Sequence, residues 1–164
     1  MCTIKNNCPV PFDQQPLNEY LSLKKSILFS WSLSQIRPFV FGLLLIFLFI
    51  YFVLSLLIIP LMSRSNIFKV FSLDFFISNI FLFVIFIRLY LGWSYIMKRL
   101  LSATVFYEES GWYDGQVWVK TSKYLIQDRL IGLYQIKPFI QRIKYTFILI
   151  TINLFLSYLL YSIF

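Results

Sequence analysis

RPFVFGLLLIFLFIYFVLSLLIIPLMSR, residues 37–64, runs twenty-six positions between Arg37 and Arg64 without a charge. Its inner part, Phe39 to Ile59, is almost wholly Phe, Leu, Ile and Val. A helix needs roughly 20 such residues to cross a ~30 Å hydrocarbon layer. The stretch therefore predicts an integral membrane protein. Pro38 suits a first helical turn, and Pro60 closes the run, which gives a first transmembrane helix over 38–62.

Two more spans follow. Residues 75–97 carry one charge, Arg88, and end at Lys98 and Arg99. Residues 145–164 follow Arg142 and Lys144. A short loop, 63–74, joins the first two spans and holds Arg64 and Lys69. The N-terminal segment, 1–37, is polar at first, with Pro9, Pro11 and Pro16 favouring extended or turning backbone. A short helix is expected from Leu17 to about Leu33. Residues 98–144 form the one sizeable water-facing module. Strands are expected at 103–107 and 116–120, with Ser110-Gly111 and Asp114-Gly115 as turn signals. A helix is expected over 121–134, capped by Thr121 or Ser122. Ile126, Leu130 and Leu133 share one face of it, suited to a membrane surface or a partner. Pro138 opens a last helix that continues into the third span. The fold class is mainly α: three transmembrane helices, with a small α/β segment (a short hairpin plus an amphipathic helix) between the second and third.

Composition agrees. The chain is 59% hydrophobic and 13% charged, against about 25% charged for a soluble domain. The net charge of +8 does not point to nucleic acid, because the basic residues flank apolar spans. Three spans put 1–37 and 98–144 on one side, with twelve Lys and Arg against two on the other. The positive-inside rule assigns those segments to the cytoplasmic-type face.

The chain has no histidine, which removes imidazole as base, metal ligand or haem ligand. Cys2 and Cys8 read as free thiols, without a second pair to complete a thiolate site. The five glycines are scattered and form no phosphate loop. No catalytic residue, metal site or cofactor is expected, and the chain reads as a non-enzyme sooner than an enzyme. Its start resembles neither a secretory signal nor an import leader. One Ala beside abundant Phe, Ile, Lys, Asn and Tyr points to an A/T-rich genome.

Three groups of residues are candidates for function or partner contact. Arg88, Gly92, Tyr95 and Arg99 share a helical stripe. Arg88 would cost about 2.5 to 3.5 kcal/mol at a bilayer centre, so it either faces a bundle interior or snorkels to the interface. Glu108, Glu109, Asp114 and Asp128 gather acidity in one segment. They would bind a hard cation, or serve as solvated turn residues and as partners for Arg99 and Arg129. Trp112 and Trp118, with Tyr107 and Tyr113, would grip a flat ligand, or form an interfacial belt or a packed sheet face.

CPVPFDQQPLNEY at 8–20, RLYLGWSY at 88–95, RLLSATVFYEESGWYDGQVWVK at 99–120 and DRLIGLYQIKPFIQRIK at 128–144 resemble the family known as hypothetical chloroplast reading frame 36. The resemblance implies a multi-pass protein of a plastid membrane, thylakoid or inner envelope, with its basic side toward the stroma. It carries no catalytic residues over. Two functions remain open. One is an assembly or stabilising factor that binds subunits of a photosynthetic membrane complex. The other is a membrane enzyme or carrier for a lipid, pigment or ion.

Overall fold

The computed structural model describes residues 9–61, 67–108 and 115–163. It is mainly helical. A 3₁₀ turn, Phe12–Gln14, precedes α1 (Pro16–Lys25), α2 (Ile27–Leu33), α3 (Ile36–Leu61) and α4 (Ile67–Leu101). A hairpin of β1 (Thr104–Tyr107) and β2 (Gln116–Val119) follows, then α5 (Ser122–Leu130), a π-helical segment (Ile131–Ile136) and α6 (Lys137–Ile163).

Local chemistry explains most of these limits. Pro16 stands at the first position of α1, where its missing N–H costs nothing. The helix expected from Leu17 to Leu33 is two helices, because Ser26 is extended, with φ −73° and ψ 141°. Its hydroxyl donates to the Leu23 carbonyl at 2.9 Å, a local bond that competes with the helical ladder. Its own carbonyl then accepts from Ser30 N–H at 2.8 Å and starts α2. Residues 67–74, expected as loop, are helical, and α4 continues to Leu101, beyond the expected end at 97. No proline interrupts 67–101. An inward stripe runs the length of this helix in steps of three and four: Asp74, Ser78, Leu82, Phe86, Leu89, Trp93, Ile96, Leu100.

The hairpin is antiparallel, with Thr104 opposite Val119 and Tyr107 opposite Gln116. Val105 and Tyr107 point inward and Phe106 outward, the period-2 alternation of a half-covered strand. The Lys120 N–H extends the ladder to the Ala103 carbonyl at 2.9 Å. From Ser122 to Ile163 the chain stays helical, so Pro138 falls in the first turn of α6 without a break before it. The joint is π-helical: the Lys137 N–H bonds the Gly132 carbonyl, five residues back.

The chain divides into two compact units. One is drawn from Met1–Ser30 and Gly92–Ile140, the other from Trp31–Leu91 and Gln141–Phe164. In the first, Val10, Val105 and Tyr107 form a cluster covered by Trp118. Trp93 meets Tyr20 and Phe29 at 6.1 and 5.6 Å between rings. In the second, aromatic pairs join the helices: Phe47 with Phe75, Phe83 with Phe147, and Phe76 with Tyr158. Trp31 stacks on Phe39 at 4.9 Å, and both meet the Phe86 edge.

Three helices are long and apolar enough to cross a membrane: Ile36–Leu61, Ile67–Leu101 and the continuous Ser122–Ser162. At ~1.5 Å per residue, the first alone reaches roughly 39 Å. One broad flank of it is exposed, with Phe41, Leu48, Phe49 and Phe52, while the opposite flank is half-buried.

A Cβ on Gly42 would fall inside the Trp31 indole, 2.8 Å from Cδ1, whereas one on Gly115 would meet nothing. Gly42→Ala is therefore expected to displace the indole at an overpacking cost of about 1–3 kcal/mol, and Gly115→Ala to be near neutral. Thermal unfolding in detergent, followed by tryptophan fluorescence, compares the two.

Candidate functional site

The charged groups of the first unit converge on the C-terminal end of α4. A helix ends on four carbonyls without helical partners, and cations are favoured there. Lys120, just after β2 and only 6% exposed, brings its ammonium to the Arg99 carbonyl at 2.9 Å and the Leu100 carbonyl at 3.2 Å. Its charge is met by Asp128 of α5, whose Oδ2 lies 2.7 Å away. Ser102 adds a hydroxyl donated to the Arg99 carbonyl at 2.9 Å.

Arg99 organises the other side of the same helix end. Its guanidinium pairs with Glu19 of α1 and donates to the Gln14 carbonyl at 2.9 Å, the Phe106 carbonyl at 3.3 Å and the Tyr95 hydroxyl at 3.2 Å. The Gln14 side chain then treats the end of β1 as a strand would. Its amide donates to the Glu108 carbonyl and accepts from the Glu108 N–H, both at 2.9 Å. One arginine thus ties the 3₁₀ turn, α1, α4 and β1 together. Burial pushes the Glu19 carboxyl above the usual carboxylate range, and the charge and hydrogen bond of Arg99 offset this only in part. Glu19 Oε2 is buried without a hydrogen-bond partner. Burial likewise raises the Tyr20 phenol, which donates to Gln135 Oε1 at 3.2 Å.

The stripe read from spacing divides accordingly. Gly92 and Arg99 are covered by the N-terminal segment: a Cβ on Gly92 would lie 2.5 Å from Phe29, and Arg99 meets Gln14 and Glu19. Tyr95 is exposed, with the Arg99 cation 5.7 Å from its ring centroid. Arg88 belongs to the second unit, out of phase with the inward stripe, and its side chain is exposed. Of the acidic group, Asp128 is spent on Lys120. Glu108 is exposed and contributes main-chain atoms to Gln14. Glu109, Trp112 and Asp114 lie outside the described residues, as do Tyr113, Cys2 and Cys8. Trp118 covers the Val10 cluster and meets Tyr124 at 6.0 Å, a packed sheet face. Arg129 is exposed, and the acidic partner of Arg99 is Glu19. Among the described residues no three of His, Cys, Asp and Glu come together as a metal site.

Spacing missed Lys120, Glu19 and Gln14. Their partners are 21, 80 and 94 residues away in sequence, and no periodicity carries such a pairing. Asp74 was missed because a helix drawn from residue 75 leaves it in a loop.

Comparison with known proteins places this architecture. The family described as CGLD27-like, "Conserved in the green lineage and diatoms 27", matches residues 8–149. The chain belongs to the CGLD27-like family. That span holds Gln14, Glu19, Arg99, Lys120 and Asp128. The protein ycf36 of Cyanophora paradoxa is 50% identical over 151 residues, 89% of this chain and 91% of that protein. The ycf36 protein of Porphyra purpurea is 47% identical over 142 residues, 86% of each. The chloroplastic protein Conserved in the Green Lineage and Diatoms 27 of Arabidopsis thaliana is 44% identical over 146 residues, 85% of this chain but 43% of that longer protein. The resemblance to reading frame 36 is thus a family membership, and the family is associated with chloroplasts. No solved structure matches the chain.

Removing one member of a buried pair leaves the other charge uncompensated, at about 3–5 kcal/mol. Lys120→Ala is expected to lower stability by that order. The double variant Lys120→Met with Asp128→Leu is expected to recover only part of it, because the Arg99 and Leu100 carbonyls still lack the ammonium. Melting curves of the purified chain in detergent measure both.

Proposed function

We propose that this protein is a multi-pass plastid membrane protein that assembles or stabilises a photosynthetic membrane complex, holding a subunit or intermediate against its helices. One observation carries this reading: a broad apolar flank of the long α3, with Phe41, Leu48, Phe49 and Phe52, is left uncovered by the rest of the chain. In water such a surface would be an aggregation hazard, since exposed patches of that extent mark membrane or protein contacts. Lipid and partner helices supply the missing cover.

Two further features support it. Lys120, Asp128, Arg99 and Glu19 are engaged with one another and with main-chain carbonyls, which is the work of a scaffold. Ile126, Leu130 and Leu133 of the α5 region are exposed, an apolar row on a segment that the charge count assigns to the stroma. Partners, in this reading, are the lipid bilayer and protein subunits. A second reading, a carrier of an ion, draws on a single observation, the buried carboxylate of Asp74.

Alkaline carbonate washing of plastid membranes should leave the chain in the pellet, and release would refute the membrane assignment. Affinity purification of the tagged full-length chain in mild detergent should bring down stoichiometric subunits of a photosystem or cytochrome complex. Gene deletion should lower the abundance of that same complex. A homogeneous oligomer of this chain alone, carrying a small molecule, would favour the carrier.

A further inference from the structure

Asp74 lies in the second unit, two turns into α4, and is 1% exposed. Both its carboxylate oxygens are buried and take no hydrogen bond among the described residues. A buried carboxylate is expensive unless a donor or cation meets it, and ionisable groups inside apolar helices mark ion or proton sites.

The same unit carries further buried polar side chains on α4 and α6. Ser78, one turn on and fully buried, donates to the Asp74 main-chain carbonyl at 2.8 Å, which leaves the lone pairs of its hydroxyl open. Asn79 is fully buried and accepts from Asn153 of α6 at 3.3 Å. Ser157, a turn beyond Asn153, is 1% exposed. Tyr51 of α3 lies within the electrostatic reach of the carboxylate. The other titratable groups on these stretches are Lys69, whose ammonium sits 5.7 Å from the Tyr161 ring centroid, and Tyr158 and Tyr161 of α6.

We infer that Asp74 is the centre of a binding site for one monovalent cation, a proton or an alkali ion. The charge decides the class: one carboxylate balances one positive charge, and among the described residues no acidic cluster forms to hold a divalent ion. A carboxylate is a hard oxygen donor, unsuited to soft metals. Burial excludes a partner helix or an organic cation, because neither reaches a carboxylate that the chain already encloses. The site does not depend on the assembly role proposed above.

The test is carbodiimide labelling of the full-length chain in detergent, quantified by peptide mass spectrometry. The reagent adds to protonated carboxyls and favours apolar sites. In choline buffer without alkali ions, Asp74 should label faster than the exposed Asp13 and Glu108, and Asp74→Asn should remove the signal. At ten times its dissociation constant an ion leaves about one site in eleven open. Labelling slowed about tenfold by Na⁺ or K⁺, and not by added choline, identifies an alkali ion. Labelling that alkali ions leave unchanged, and that persists to a pH at which Asp13 and Glu108 no longer react, identifies the proton. Two outcomes overturn the site: Asp74 labelling no faster than the exposed acids, or fast labelling only after Lys69→Ala or Arg64→Ala, which would make its counter-charge a side chain of this protein. Carbonate extraction is independent, so loss of the membrane assignment is distinguishable from loss of the cation site.

Discussion

A helix that stops must find partners for its last carbonyls, and in this protein basic side chains supply them. Lys120 does so for α4, and Asp128 neutralises the ammonium once it is drawn inside. Through that contact the C-terminal end of α4, the hairpin and α5 hold one arrangement. Arg142 plays the same part for α2 in the other unit. It donates to the carbonyls of Ser32 and, at 2.8 Å, Ser34, while its charge lies 4.4 Å from the Phe39 ring centroid. Both residues count toward the charge asymmetry that orients the spans. Each also terminates a helix, so orientation and architecture share the same cations.

The long elements were legible because their signals are local. An uncharged apolar run specifies a long helix wherever it sits, and alternation around Gly-containing turns specified the hairpin to within one residue at each end. Ser26, by contrast, breaks a helical pattern through a side-chain bond that competes with the ladder on equal terms, and composition does not tell which wins. The start of α4 was misplaced because Asp74 looks like a loop residue, and only the inward stripe shows that the helix continues through it. Among the candidate residues, the periodic stripe on α4 was legible as a stripe. Its occupant was not: Gln14 and Glu19 reach Arg99 across 85 and 80 residues.

That occupant gives the N-terminal motif a physical role. PFDQQPLNEY at 11–20 reads as a polar, proline-punctuated tail, yet Gln14, Asn18 and Glu19 bond within the protein. Asn18 donates to the Phe12 carbonyl at 2.8 Å, Gln14 pairs with the main chain of Glu108, and Glu19 meets Arg99. The prolines hold the turn that presents these groups, and Pro16 begins the helix that carries Glu19 and Tyr20. The segment is a clasp on the first unit.

The π-helical joint between α5 and α6 has a consequence for how this chain tolerates change in length. Asp128, Gly132, Ile136 and Ile140 are all buried, although they follow one another every fourth position. In an ordinary α-helix, at 3.6 residues per turn, each such step overshoots by roughly 40°, so three steps would swing the last residue roughly 120° around the axis. The wider turn absorbs that drift and keeps one flank inward. Deleting a single residue there would bring Asp128 and Ile140 to eleven apart, which regular winding keeps within roughly 20° of one another, so the flanks would hold their faces. The joint works as a phase corrector: it lodges one surplus residue and leaves both flanks turned the same way.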